Sequence, residues 1–327
     1  MGFITRLSLA VALLAALGCT GRVAPEAAKA LRYFDLINLD VRDVPLLMAL
    51  DDLTSQGYKV EKTYLASGAL IADALGRGDA DIGLVNNQTM WIAATKGVAV
   101  STVMGFTEPT AIIAARSDIK SCRDLDGKRF GMPTTRGLAP ALVEDYLQKQ
   151  CGGAKPNFLV IAESAGRAAA LLSGEVDAIT APGEEFLKIQ MDAPDKFREV
   201  MSYARAYPTI YVEGLHVRRQ WATENPNGMK DFVRALLRAQ RRVMADPELL
   251  FSESVKRLSL DPATAKAVGE SHLRNRIWDP NGGLTEKKVE DTLAFLTRIG
   301  ALRPGVQVKD VADLSYLNTV LDEVGRQ

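Results

Sequence analysis

Two phrases decide the reading of this chain: Ala74-Leu-Gly-Arg-Gly-Asp-Ala-Asp81-Ile-Gly and Leu171-Leu-Ser-Gly-Glu-Val-Asp177-Ala-Ile. Each closes a helical stretch with glycine, turns through two acidic residues and enters a short apolar run that reads as a buried strand. The elements around them repeat in the same order. The first set predicts strands over 31–37, 58–64, 80–85 and 98–106, with helices over 44–56, 69–77 and 87–96. The second predicts strands over 128–132, 157–162, 176–181 and 198–203, with helices over 138–150, 167–172 and 184–191. Strands alternating with helices of this length argue for parallel sheets, so the fold class is α/β with two similar Rossmann-like lobes.

Extended stretches over 110–116 and 209–217 lie between the two sets and read as a two-segment hinge. Lobe 1 is expected to comprise 31–112 plus 214–327, and lobe 2 113–213. After the second crossing the chain turns helical and is expected to return to lobe 1. Met229, Phe232, Val233, Leu236, Leu237, Val243 and Met244 share one helix face, and Pro226 is placed for a helix start. The opposite face carries Lys230, Arg234, Arg238, Arg241 and Arg242, a solvated face or a docking patch. A last long helix after Thr285 is expected to bury Val289, Leu293, Leu296 and Ile299.

Composition narrows the function classes. The chain has 327 residues, 47% hydrophobic and 24% charged, which suits a globular protein of two domains. Lys+Arg and Asp+Glu are both 40, so the basic excess of a nucleic-acid binder is missing. Two histidines and three cysteines leave little material for a metal or thiol site, and neither a cofactor nor a metal is expected.

The N-terminus joins a basic residue, Arg6, to an apolar run over 7–17 and then Gly18-Cys19, the parts of an export signal over 1–18. The run is too short to span roughly 30 Å of hydrocarbon as a mature helix. Ala16-Leu-Gly-Cys19 resembles a bacterial lipobox, which implies lipidation of Cys19 and a flexible tether over 19–30; cleavage without a lipid is the alternative. Either way the product is periplasmic or at the cell surface. Cys122 and Cys151 then remain as a pair in an oxidising compartment, bridged as a disulfide or left as two free thiols.

In parallel sheets ligands sit beyond the carboxyl ends of strands, where helix N-termini present free N–H groups. Three such junctions are rich in small polar residues: Ser67-Gly68, Thr134-Thr135-Arg136-Gly137 and Ser164. Each hydroxyl taken singly reads as a helix cap. Taken together they face one cleft, and Thr134, Thr135 and Arg136 are the expected seat of an anionic group. Asn86-Asn87, Ala181, Asn38, Tyr211 and Glu213 complete the candidate ligand set. Trp91 and Trp278 could stack on a ring, although core packing explains them as well. No Gly-x-Ser-x-Gly elbow, His-Glu-x-x-His or phosphate loop occurs, and His216 and His272 read as structural, so no enzyme activity is expected.

Asp124-Leu-Asp-Gly-Lys-Arg-Phe-Gly-Met-Pro133, Ser173-Gly-Glu-Val-Asp-Ala178, Glu224-Asn-Pro226 before an arginine-rich helix, and Val311-Ala-Asp-Leu-Ser-Tyr316 together resemble one family. It is that of substrate-binding proteins of bacterial ABC importers, of the sulfonate, nitrate, taurine and thiamine-precursor type. The resemblance implies a type II periplasmic binding fold and a monomer. It implies a small polar or anionic organic ligand enclosed between the lobes, and delivery to permease subunits with a separate cytoplasmic ATPase. The cysteine-rich motif of the thiamine-precursor synthases on this fold is missing. A ligand-sensing lipoprotein coupled to a signalling partner stays open beside transport.

Overall fold

The structure, a computed structural model, describes residues 29–327. The expected export signal, Cys19 and all but the end of the expected tether lie outside the described residues.

Among the described residues ten strands form two five-stranded sheets. The first contains β1 (Ala30–Leu36), β2 (Lys59–Leu65), β3 (Ile82–Asn86) and β4 (Val100–Gly105), and the second β5 (Ile112–Arg116), β6 (Arg129–Met132), β7 (Asn157–Val160), β8 (Ala178–Ala181) and β9 (Phe197–Ser202). β10 (Glu213–Arg218) returns to the first sheet, giving orders β2-β1-β3-β10-β4 and β7-β6-β8-β5-β9. The parallel pairs β1/β2 and β1/β3 have their counterparts in β6/β7 and β6/β8. Each sheet also holds one antiparallel strand, and it is the strand that has just crossed over: β10 between β3 and β4, β5 between β8 and β9. Helices α1 (Val44–Ser55), α2 (Gly68–Arg77) and α3 (Asn87–Thr95) follow the strands of the first sheet. Helices α4 (Leu138–Gln150), α5 (Ser164–Ser173) and α6 (Gly183–Asp192) follow those of the second.

The duplicated phrases have one physical job. Asp81 accepts from the Arg32 backbone N–H (3.0 Å) and from its guanidinium Nη2 (2.6 Å), pinning the turn to the start of β1. Asp177 does the same for Arg129 at the start of β6, at 3.0 Å and 2.9 Å. A second arginine joins each carboxylate from the end of the crossover strand: Arg218 on Asp81 at 3.1 Å and Arg116 on Asp177 at 3.6 Å. The Arg129 guanidinium holds the Asp177 carboxyl below the usual carboxylate range. A buried carboxylate must be matched in this way, which is why the Asp recurs at the same place in both halves.

The C-terminal helices divide their attention. The helix Pro226–Ala245 buries Met229, Phe232, Val233, Leu236, Leu237 and Val243 in a cluster shared with α1. On its other face Arg234 pairs with Asp231 and Glu323, Arg241 donates to the carbonyls of Pro280 and Gly325, and Arg242 reaches Asp52 at 3.4 Å. These arginines tie the helix to its neighbours. The helix Glu286–Arg298 lies across the second crossover: Thr292 accepts from the Tyr211 N–H, Phe295 stacks edge-on with Tyr207, and Arg298 pairs with Asp145 of α4 at 2.6 Å. This part of the tail therefore touches both halves.

Cys122 and Cys151 form a disulfide, with an α-carbon separation of 5.3 Å. It joins the short helix before β6 to the residue that ends α4.

Candidate functional site

Two cavities meet at one ion pair between the carboxyl ends of the sheets. The first, about 170 Å³, is lined by Asp35, Leu36, Asn38, Arg42, Asp43, Gly68, Leu84, Val85, Asn86, Thr89 and Glu213. The second, about 200 Å³, lies between the crossovers and the second half. Its walls include Arg42 and Glu213 again, Thr107–Ala111, Ala139, Leu142, Pro182, Glu184 and Tyr203. The Arg42 guanidinium bridges Glu213 (2.8 Å) and Asp40 (3.0 Å).

Local sequence explains how these groups are held. Asp40 and Asp43 form a reciprocal capping box after β1: Asp40 accepts from the Arg42 N–H at 2.8 Å, and Asp43 accepts from the Asp40 N–H at 2.7 Å. Pro45 in the first turn of α1 continues the start. The box aims Arg42 across the β1 end toward β10, and Trp278 donates to the Arg42 carbonyl at 3.2 Å. Asp35, the penultimate residue of β1, accepts from the Tyr33 hydroxyl (2.6 Å) and the Leu36 N–H (2.7 Å). Glu184 enters from the first turn of α6, and its Oε2 is buried with no hydrogen-bond partner.

Crowded, largely buried carboxylates resist ionisation. Burial, then the nearby Glu213 charge, raises the Asp35 carboxyl to about 6. Burial, then Asp40, raises Glu184 to about 7, and the same two causes push Asp43 well above its usual value. Arg42 is held firmly protonated by Glu213.

The expected site residues divide into three groups. Asn38, Gly68, Asn86 and Glu213 are brought together around the first cavity. Ser67 and Asn86 also serve as helix caps, accepting from the N–H groups of Leu70 (3.4 Å) and Thr89 (3.0 Å). The side chains of Asn87 and Tyr211 are buried in the core. Asn87 donates to the Tyr211 carbonyl at 3.0 Å, and the Tyr211 ring is wedged between Gly105 and Gly283.

The remaining candidates line neither cavity. Thr134, Thr135 and Arg136 are exposed, and Thr134 Oγ1 accepts from the Arg136 N–H at 3.2 Å. Gly137 turns at φ 107°, a conformation glycine adopts without strain, and the Leu138 N–H at the start of α4 donates to Gln88 Oε1 of α3 at 2.6 Å. The donor expected to meet an anion thus meets the other half of the protein. Ser164 and Ala181 also stand outside the cavities, at the start of α5 and the end of β8.

Sequence reasoning missed Asp35, Arg42, Asp43 and Glu184. Asp40-Val-Arg-Asp43 before Pro45 is a capping-box signature at a strand-to-helix junction, and Pro182-Gly-Glu184 follows β8 in the equivalent place. Both were visible as helix starts, but not as neighbours. Trp91 and Trp278 are core residues. Trp91 heads a buried chain in which its Nε1 donates to Thr102 Oγ1 (2.8 Å), and Thr102 meets His216 Nδ1 (3.0 Å). His216 Nε2 faces the Val85 carbonyl at 3.0 Å, so Nε2 carries the proton and Nδ1 accepts from Thr102. Burial lowers His216 to about 4, which keeps it neutral.

Two duplicated α/β halves, two crossovers and cavities between them define a periplasmic binding protein fold. The chain belongs to the NMT1/THI5-like family, whose model matches residues 54–249. A protein of Brucella abortus (strain 2308) that carries the provisional name of binding protein is 24% identical over 232 residues, 66% of this chain and 67% of that one. Among solved structures, the ligand-binding component of an ABC-type import system from Staphylococcus aureus, with zinc bound, superposes with a TM-score of 0.69. It shares 15% identity, over 89% of this chain and 99% of that one. The alkanesulfonate-binding protein SsuA from Xanthomonas axonopodis pv. citri, bound to MOPS, gives 0.65 at 18% identity over 86% and 98%. The nitrate-binding protein NrtA from Synechocystis PCC 6803 gives 0.66 at 13% over 91% and 89%.

Proposed function

We propose that this chain is the extracytoplasmic solute-binding protein of an ABC-type importer. It captures a small polar organic ligand between its halves and hands it to permease subunits served by a separate ATPase. The observation that carries the reading is the pair of cavities sharing Arg42 and Glu213, bounded by both crossovers and both sheets. A ligand seated there touches both halves, so its differential affinity favours a closed state that a permease can recognise. Family membership supports transport over catalysis, and the monomer reading rests on the duplicated halves, which enclose the cleft without a second copy. The export signal and the Ala16–Cys19 sequence support a lipid anchor at Cys19. No helix among the described residues is long and apolar enough to cross a membrane.

A thermal-shift screen tests the reading, with sulfonates, nitrate, amino acids, pyrimidines, flavins, aromatic acids and amines. A ligand at about 100 times its Kd adds roughly 2.7 kcal/mol and moves Tm by several degrees. The shift should fall at least tenfold in ligand sensitivity in the Asn38→Ala, Glu213→Gln variant. A ligand whose affinity ignores both changes binds elsewhere and refutes the assignment. Intact mass of protein recovered from membranes tests the anchor: a chain that begins at Cys19 and carries acyl mass supports it, and an unmodified one refutes it.

A further inference from the structure

We infer that the protein has a second ligand site, apart from the Arg42–Glu213 cleft, that takes a small aromatic carboxylate bearing a hydroxyl. The site is a cavity of about 430 Å³, within the range of small-molecule sites. One side is built from α6 and β9 of the second half, the other from the end of the helix Pro262–Arg274 in the tail. Glu108–Thr110 of the first crossover also line it, and these three residues are all that it shares with the cavity between the crossovers. The helix Pro262–Arg274 packs against the Val41–Asp43 turn of the first half and against α6 of the second. An occupant therefore lies between the halves, as one in the cleft does, but against different side chains.

His272 supplies the polar requirement. It lines the cavity, is only 2% exposed, and its Nε2 has no hydrogen-bond partner. The ring meets Trp278 edge-on, with centroids 5.9 Å apart, and that contact satisfies neither nitrogen. Burial lowers His272 to about 4, so the ring is a neutral imidazole in any ordinary medium. A buried ring nitrogen without a partner is a vacancy that a ligand can fill. A hydroxyl is donor and acceptor at once, and so completes either tautomer.

The rest of the wall sets the body and the charge. Phe186 and Phe197 from the second half and Ile277 after the tail helix are buried and supply apolar surface for a ring. Both acids on the walls are already matched, Glu108 by Lys288 and Glu199 by Arg205. Arg198 and Arg274 also line the cavity, and neither meets a carboxylate among the described residues; Arg198 gives one N–H to the Lys120 carbonyl at 2.7 Å. Positive charge is thus in excess, and a carboxylate is its complement.

The chain has two histidines, so isotope-labelled histidine gives two imidazole signals in NMR. His272 is the reporter, and His216, held between Thr102 and the Val85 carbonyl, is the internal control. The probes are para-hydroxyphenylacetate, phenylacetate, which lacks the hydroxyl, and tyramine, which replaces the carboxylate by an ammonium. The expected result is saturable movement of the His272 signal with para-hydroxyphenylacetate while His216 stays still. Phenylacetate should bind about tenfold more weakly, and tyramine about threefold or more. Arg274→Gln, at an exposed position, should weaken para-hydroxyphenylacetate about threefold and leave the unfolding midpoint unchanged. A His272 signal that ignores all three probes overturns the site. So does tyramine or phenylacetate binding as tightly as the hydroxy acid, or an affinity that Arg274→Gln leaves unchanged. Movement of the Arg42 and Glu213 amide resonances with His272 still would mean that the probe enters the cleft, which overturns the second site and leaves the cleft reading intact.

Discussion

Glu184 offers the sharpest check on the electrostatics of the cleft. Its carboxyl is raised from an ordinary 4.5 to about 7 by burial and by Asp40, and one of its oxygens has no partner. The folded protein therefore holds a proton there that the unfolded chain gives up near pH 4.5. The associated stability is fully present below 4.5 and is lost as pH rises through about 7. Once Glu184 is ionised, the loss amounts to about 3 kcal/mol. Glu184→Gln keeps the shape and removes the charge, so the variant should match the wild type at pH 4.5 and exceed it by up to about 3 kcal/mol at pH 8.5. At roughly 2 °C per kcal/mol for a chain of this size, that is about 6 °C in Tm by scanning calorimetry. His216 and His272 run in the opposite sense. Burial lowers both from 6.5 to about 4, so the stability they confer is present above 6.5 and lost as pH falls toward 4. The difference between variant and wild type cancels their contribution. A gain that is equal at both pH values, or a loss at pH 8.5, would refute the reasoning.

Three other changes test the frame around the cleft. Replacing Cys122 and Cys151 together with serine opens a loop of 29 residues and should cost about 3–4 kcal/mol in urea unfolding; an unchanged midpoint would contradict a bridge that constrains the unfolded chain. Thr102→Val leaves the Trp91 Nε1 and His216 Nδ1 without partners and should cost about 2–4 kcal/mol, with loss of the protected indole N–H resonance. Gly105→Ala puts a methyl 2.5 Å from the buried Tyr211 hydroxyl and should destabilise by about 1–3 kcal/mol; a neutral result would mean that Tyr211 moves freely, against its packing.

Much of the architecture was legible because it is written in local rules. Gly78 and Gly174 end their helices in the left-handed conformation that glycine tolerates, and Asp81 and Asp177 then cap equivalent arginines. The helix Pro226–Ala245 followed from its apolar period, and α4 from its place in the repeated order of elements. The structure brings some of the expected cleft residues to the cavity walls and leaves others away from them, for a definable reason. A residue at the carboxyl end of a strand faces the cleft only if the following turn points it there. Asn38 and Asn86 do so, whereas the Thr134–Arg136 turn folds outward. Tyr211 belongs to a crossover, but its ring enters a slot between two glycines that lie far from it in sequence.

The sequence by itself determined the duplicated α/β order, the two crossovers and the helical tail, because propensity, periodicity and turn chemistry act within a few residues of one another. Only the tertiary structure decided the electrical character of the cleft. Asp35, Arg42, Glu184 and Glu213 come from four separate elements, and a net charge of zero over the whole chain conceals how unevenly it is folded. Which charges become neighbours depends on sheet order and on how the halves meet. Their proximity and partial burial, rather than their number, set what the site can hold.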